Sequence, residues 1–87
     1  MKFLRLRLVL ARLGHGKTKQ YELVSLGLMT SPVTMGGRAV LWPEDEIELI
    51  SAARVAGADD EQIRGLVSKL HQKRQERAQA LMAEVAA

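Results

Sequence analysis

Glycines at positions 14, 27, 36–37 and 57 cut the first two thirds of the chain into runs of fewer than twenty residues. A glycine enters the left-handed conformation that ends a helix at little cost. Gly14, Gly27 and Gly57 therefore read as helix ends, and the Gly36-Gly37 pair as a turn. Residues 4–13 place Leu6, Val9, Leu10 and Leu13 at the three-or-four spacing of a buried helical face. The preceding Phe3-Leu4-Arg5 is compatible with a short strand. Residues 17–26 carry a second helical pattern, with Gln20, Leu23, Val24 and then Leu28 on one side. Two short helices joined by Gly14-His15-Gly16 make a helix-turn-helix.

The next run changes period. Val33-Thr34-Met35 and Arg38-Ala39-Val40-Leu41-Trp42 are β-prone, and Gly36-Gly37 between them can supply the two positive φ angles of a tight hairpin. Pro32 precedes the first strand, where a missing N–H does little harm. This predicts a two-stranded wing. Pro43 is placed to open a third helix at its first position, followed by Glu44, Asp45 and Glu46 at the end where the dipole favours negative charge. Ile47, Ile50 and Ala53 or Arg54 mark its inner face. Asp59 and Gln62 have the spacing of a capping box at the head of a last, long helix. Its apolar stripe is Ile63, Val67, Leu70, Ala78, Leu81 and Val85, broken by Arg74. The expected fold is mainly α with a small two-stranded β wing: a winged helix-turn-helix domain over residues 1–57 and a C-terminal amphipathic helix over 58–87.

At 87 residues the chain supports one small domain with a thin core, so a second copy or a covering partner is expected. With no cysteine, disulfides and thiolate zinc sites are excluded. His15 and His71 stand far apart, without a second ligand at metal spacing, so no metal or cofactor is expected. The N-terminal segment is apolar, but Arg5, Arg7 and Arg12 interrupt it, unlike a secretory signal. No window approaches a membrane span, and a cytoplasmic protein is the expectation.

Charge narrows the partner. Residues 1–42 hold seven Lys/Arg against one acid, Glu22, and residues 43–87 hold six bases against nine acids. The halves carry +6 and −3, which points to a polyanion bound by the first half. In a helix-turn-helix the second helix enters the major groove with its early residues at base edges. Here those residues are Lys17, Thr18 and Lys19, with Tyr21 able to reach a phosphate through its hydroxyl. Lysines meet phosphates or guanine edges, and threonine a phosphate or a thymine methyl. Gln20 could pair with adenine but falls on the core side. At the wing tip Gly37 permits close backbone approach, and Arg38 can enter a narrow minor groove or clamp a phosphate.

The block Gly14-His15-Gly16-Lys17-Thr18-Lys19-Gln20-Tyr21-Glu22-Leu23-Val24-Ser25-Leu26-Gly27 resembles the turn and recognition helix of AlpA-type phage regulators and excisionase-like proteins, relatives of the MerR-type winged helices. Pro32-Val33-Thr34-Met35-Gly36-Gly37-Arg38-Ala39-Val40, then Trp42 and Glu46-Ile47, is similar to their wing and following helix. The resemblance covers about residues 3–56. It implies double-stranded DNA of phage, plasmid or integrative elements as the ligand. The implied role is transcriptional regulator or recombination directionality factor, with an integrase or RNA polymerase as further partner. His15 and Gln20 depart from the small aliphatic residues usual near those positions, and Leu8 and Leu26 from commonly charged ones.

No catalytic constellation is present, and the expectation is a protein without enzymatic activity. Gly14-His15-Gly16-Lys17-Thr18 keeps only the Gly-Lys-Thr end of a phosphate loop and lacks its parallel-sheet context. Residues 58–87 lie beyond the resemblance. Their stripe either covers the chain's own core or pairs with a second protomer. Ile63, Val67, Leu70 and Leu81 are the candidates for self-association, with Val85, Leu8 and Leu26 as additions, giving a homo-oligomer on DNA. The competing function is a protein-interaction module, such as an anti-repressor, that uses this helix.

Overall fold

The computed structural model describes residues 2–86. The chain runs β1 (Phe3–Arg5), α1 (Leu6–Leu13), α2 (Lys17–Ser25), β2 (Val33–Thr34), β3 (Val40–Pro43), α3 (Glu44–Val55) and α4 (Asp60–Ala86). It is mainly helical, 66%, with a small antiparallel sheet and a long C-terminal helix.

Local chemistry sets the helix ends. Gly14 closes α1 at φ 69°, its N–H bonded to the Leu10 carbonyl at 2.9 Å. Gly27 closes α2 in a Schellman arrangement, with Gly27 N–H on Val24 and Leu28 N–H on Leu23. Gly57 and Ala58 repeat it at the end of α3, on Arg54 and Ala53. Before α4 the capping box forms in both directions: Gln62 N–H donates to Asp59 Oδ1 at 2.9 Å, and Asp59 N–H to Gln62 Oε1 at 3.0 Å.

The sheet has three strands, in the order β1-β3-β2, where the sequence led us to expect two. Phe3-Leu4-Arg5 pairs with Pro43-Trp42-Leu41, and Val33 and Thr34 pair with Leu41 and Val40. β3 is therefore central, and the N-terminal strand covers the edge that a two-stranded hairpin would leave open. Gly36 and Gly37 take positive φ, 90° and 73°, but inside a five-residue loop, Met35–Ala39, instead of a two-residue turn. Arg38 and Ala39 thus leave the strand. Pro43 is also one step earlier than expected: it ends β3 at ψ 129° and precedes the first helical residue, Glu44.

Leu4, Val9, Leu28, Met29, Trp42, Ile47, Ile50, Ile63 and Val67 form one buried cluster. Trp42 is its largest side chain and fully buried, and its indole N–H donates to the Thr30 carbonyl at 2.7 Å. Ile63 and Val67 were candidates for contact with a second protomer. They are fully covered by the chain's own core, and Leu70 packs half-buried against it. The first half of α4 is therefore a wall of the core. From Gln75 to Ala86 every residue is exposed. No helix among the described residues is long and apolar enough to cross a membrane.

Candidate nucleic-acid interface

The sequence puts no acid in the first turn of α1 or α2, whereas α3 begins Glu44-Asp45-Glu46 and α4 begins Asp60-Glu61. Acids at a helix N-terminus are stabilising and bases there are not. α1 starts with Arg5 and Arg7 beside its first turn, and α2 with Lys17 and Lys19. Neither N-cap, Arg5 or Gly16, makes a side-chain capping bond. Both ends thus present free backbone N–H groups, partial positive charge and cationic side chains to solvent, which is the composition of an anion site.

Strand pairing gathers the arginines. Arg5 stands opposite Leu41 on β3, which brings the start of α1 alongside the β2–β3 loop. Arg5, Leu6, Arg7 and Leu8 from one side and Arg38, Ala39 and Val40 from the other line an open cleft of about 510 Å³. Arg5, Arg7 and Arg38 are all exposed, and none forms an ion pair among the described residues. Sequence reasoning singled out Arg38 alone of these three. The alternation in Phe3-Leu4-Arg5, with Leu4 inward, was the signal that would have placed Arg5 on the same open face as the loop.

The α2 candidates divide. Lys17 and Thr18 are exposed, and Lys17 is free of ion pairs among the described residues. Lys19 is exposed but sits 3.6 Å from Glu22. It borders a different depression, of about 650 Å³, between the α1–α2 turn and α3. The other charges of that depression are matched: Arg12 meets Glu44 at 2.8 Å and Arg54 meets Asp60 at 3.0 Å. Its floor is apolar, with Leu13, Leu23, Leu28 and Ile50, so it is a poor place for phosphate.

Tyr21 lies half-buried with its ring edge-on to Trp42, centroids 6.2 Å apart. The ring belongs to the core margin, which limits Tyr21 to contact through its hydroxyl. Gln20 is buried as expected and accepts a 2.7 Å bond on Oε1 from His15 Nε2. Its amide nitrogen has no partner. Gly37 and Arg38 are exposed at the loop tip.

One polar cluster that the sequence does not announce joins α4, α3 and the segment before β2 through Ser31. Arg74 makes a side-on pair with Glu46, Nη2 to Oε1 at 2.6 Å and Nε to Oε2 at 2.8 Å, and also donates to the Ser31 carbonyl at 2.9 Å. His71 Nε2 accepts the Ser31 backbone N–H at 3.0 Å. Burial and then the nearby Arg74 charge push the His71 pKa down, with Glu46 opposing. Among the described residues, no group of three or more His, Cys, Asp or Glu side chains could hold a metal ion. In comparison with known proteins, no family model, curated protein or solved structure matched the chain.

Proposed function

We propose that the protein is a winged helix-turn-helix DNA-binding protein, with α2 in the major groove and the Met35–Ala39 loop as the wing on the adjacent backbone. It serves as a transcriptional regulator or a recombination directionality factor of a phage or integrative element, alongside RNA polymerase or an integrase. The observation that carries this reading is the open cleft of Arg5, Arg7 and Arg38, unpaired and set against a helix start that has no acid of its own. Such a cluster is self-repelling in the free protein. A phosphate backbone supplies the missing counter-charge, and its release of condensed cations adds the driving force. Lys17 and Thr18 at the exposed start of α2 are the base-reading candidates, with Lys19 partly engaged by Glu22.

The test is duplex binding by fluorescence anisotropy across a salt series. Four free bases, Arg5, Arg7, Lys17 and Arg38, give an expected log–log slope of about −3 to −4, at roughly 0.9 per neutralised phosphate. A flat response contradicts the proposal. A footprint then separates the two roles: a promoter for a regulator, repeats beside an attachment site for an excision factor.

A further inference from the structure

α4 carries one apolar stripe, interrupted by Arg74, but keeps a partner only for its first half. At 100° per residue, Ile63, Val67 and Arg74 project from the same side as Ala78, Leu81 and Val85. The first three are engaged by the domain, Ile63 and Val67 in the core and Arg74 on Glu46. The last three continue the stripe with nothing of their own chain beneath them. Leu81, Met82 and Val85 are 54%, 68% and 88% exposed and form a flat apolar patch with Ala86. The helix here is already nucleated by its packed first half, so a partner need not bear the initiation cost of a free peptide.

The flanks of the stripe name the partner. Arg77 and Glu84 stand two helical turns apart on the same border, seven residues from each other, and neither is ion-paired among the described residues. Met82 and Gln75 occupy the opposite border. Two such helices in antiparallel alignment, centred near residue 80, bring Arg77 of each copy beside Glu84 of the other, twice. They also join the two Met82 borders into the apolar seam. In parallel alignment Arg77 faces Met82 and no ion pair forms, because opposite borders meet. We infer that the Gln75–Ala86 end of α4 is a homodimerisation helix that pairs antiparallel with the same segment of a second copy. The contact does not depend on DNA. The exposed segment is about 18 Å long at 1.5 Å per residue. This is short of a standard interface, so the dimer is weak.

Sedimentation equilibrium of the full chain without DNA, from about 10 µM to 1 mM, reads this directly. The expected result is reversible dimerisation that Leu81→Glu weakens by more than about tenfold while thermal unfolding at low concentration is unchanged. Arg77→Glu and Glu84→Arg each weaken it about fivefold, as expected for exposed pairs turned into like-charge contacts. The double swap restores it, and a mixture of the two single variants forms heterodimers in preference to either homodimer. A chain that stays monomeric at 1 mM overturns the proposal. So does a dimer indifferent to Leu81→Glu, or a double swap without rescue. A dimer broken instead by Leu49→Glu also overturns it: Leu49, Leu66 and Leu70 line an apolar groove between α3 and α4, rimmed by Lys69, Lys73 and Arg77, and the partner would then sit there.

Discussion

His71 carries a pH dependence whose sign follows from one hydrogen bond. Its Nε2 accepts the Ser31 N–H, so this nitrogen must be unprotonated in the fold. Burial disfavours the charged ring and the Arg74 guanidinium opposes a second cation, so the pKa falls below the ordinary 6.5. The Glu46 carboxylate, paired with Arg74, only partly offsets this. The unfolded chain takes up a proton as pH drops through 6.5 and the folded chain resists it. The contribution of His71 is therefore complete above that pH and is lost as acidification proceeds toward the folded value. Urea midpoints between pH 7.5 and 5 should fall more steeply for the native chain than for His71→Gln, which keeps an acceptor for Ser31 but does not titrate. Parallel curves would mean that His71 is not the group responsible. Residue-scale readings from sequence succeeded where the answer depended on near neighbours. Gln20 was placed inward by its spacing from Leu23 and Val24, against its polarity, and it is fully buried. His71 and Ser31 lie 40 residues apart, and nothing local foretells that contact.

At the scale of elements the same division holds. Helix ends were legible because Gly14, Gly27, Gly57 and the Asp59–Gln62 box each act within a turn of their own position. The third strand was only a possibility in the sequence, because Phe3-Leu4-Arg5 becomes a strand by pairing with residues almost forty positions later. That same pairing brings Arg5 and Arg7 to Arg38, so half of the candidate interface was hidden with it. The stripe on α4 is legible in the spacing, but spacing alone does not say what covers it: Ile63 and Val67 lie in the chain's own core, whereas Leu81 and Val85 stay exposed. The decisive contact was the residue that seemed to break the stripe. Arg74 ties α4 to α3 through Glu46 and to the segment before β2 through Ser31, with side-chain exposures of 20% for Arg74 and 6% for Glu46. Arg74→Ala leaves the Glu46 carboxylate buried and unpaired, and should lower unfolding free energy by about 3 kcal/mol, the lower end for a buried pair because Arg74 keeps some contact with water. Arg74→Met with Glu46→Leu replaces both charges and should recover most of that loss. Chemical denaturation of the two variants checks both expectations, and a loss under 1 kcal/mol for Arg74→Ala would show the pair to be solvated.

For the whole molecule the proposed interface has two parts with different physics, and they should fail differently. The Arg5–Arg7–Arg38 cleft is open and lined by side chains that gather charge without a fixed hydrogen-bonding frame, which suits a phosphate backbone. The start of α2 presents Lys17 and Thr18 on a rigid helix, which suits base edges. Arg38→Ala should therefore weaken binding to cognate and unrelated duplexes alike and reduce the salt slope by about one. Lys17→Ala should weaken the cognate duplex selectively, by about 1–3 kcal/mol, if it meets a guanine. Lys19→Ala should have the smaller effect of the two lysines, because Glu22 already holds its ammonium and it borders the other depression. None of the three touches the core, so unfolding free energies should stay within about 0.5 kcal/mol of the native chain. The assignment is read from paired titrations on a selected site and a scrambled duplex of equal length. If Arg38→Ala lowers only the cognate affinity, the wing reads sequence and the cleft is not a backbone clamp. If Lys17→Ala shifts both duplexes equally, α2 contributes charge alone and the reading of bases lies elsewhere on the molecule.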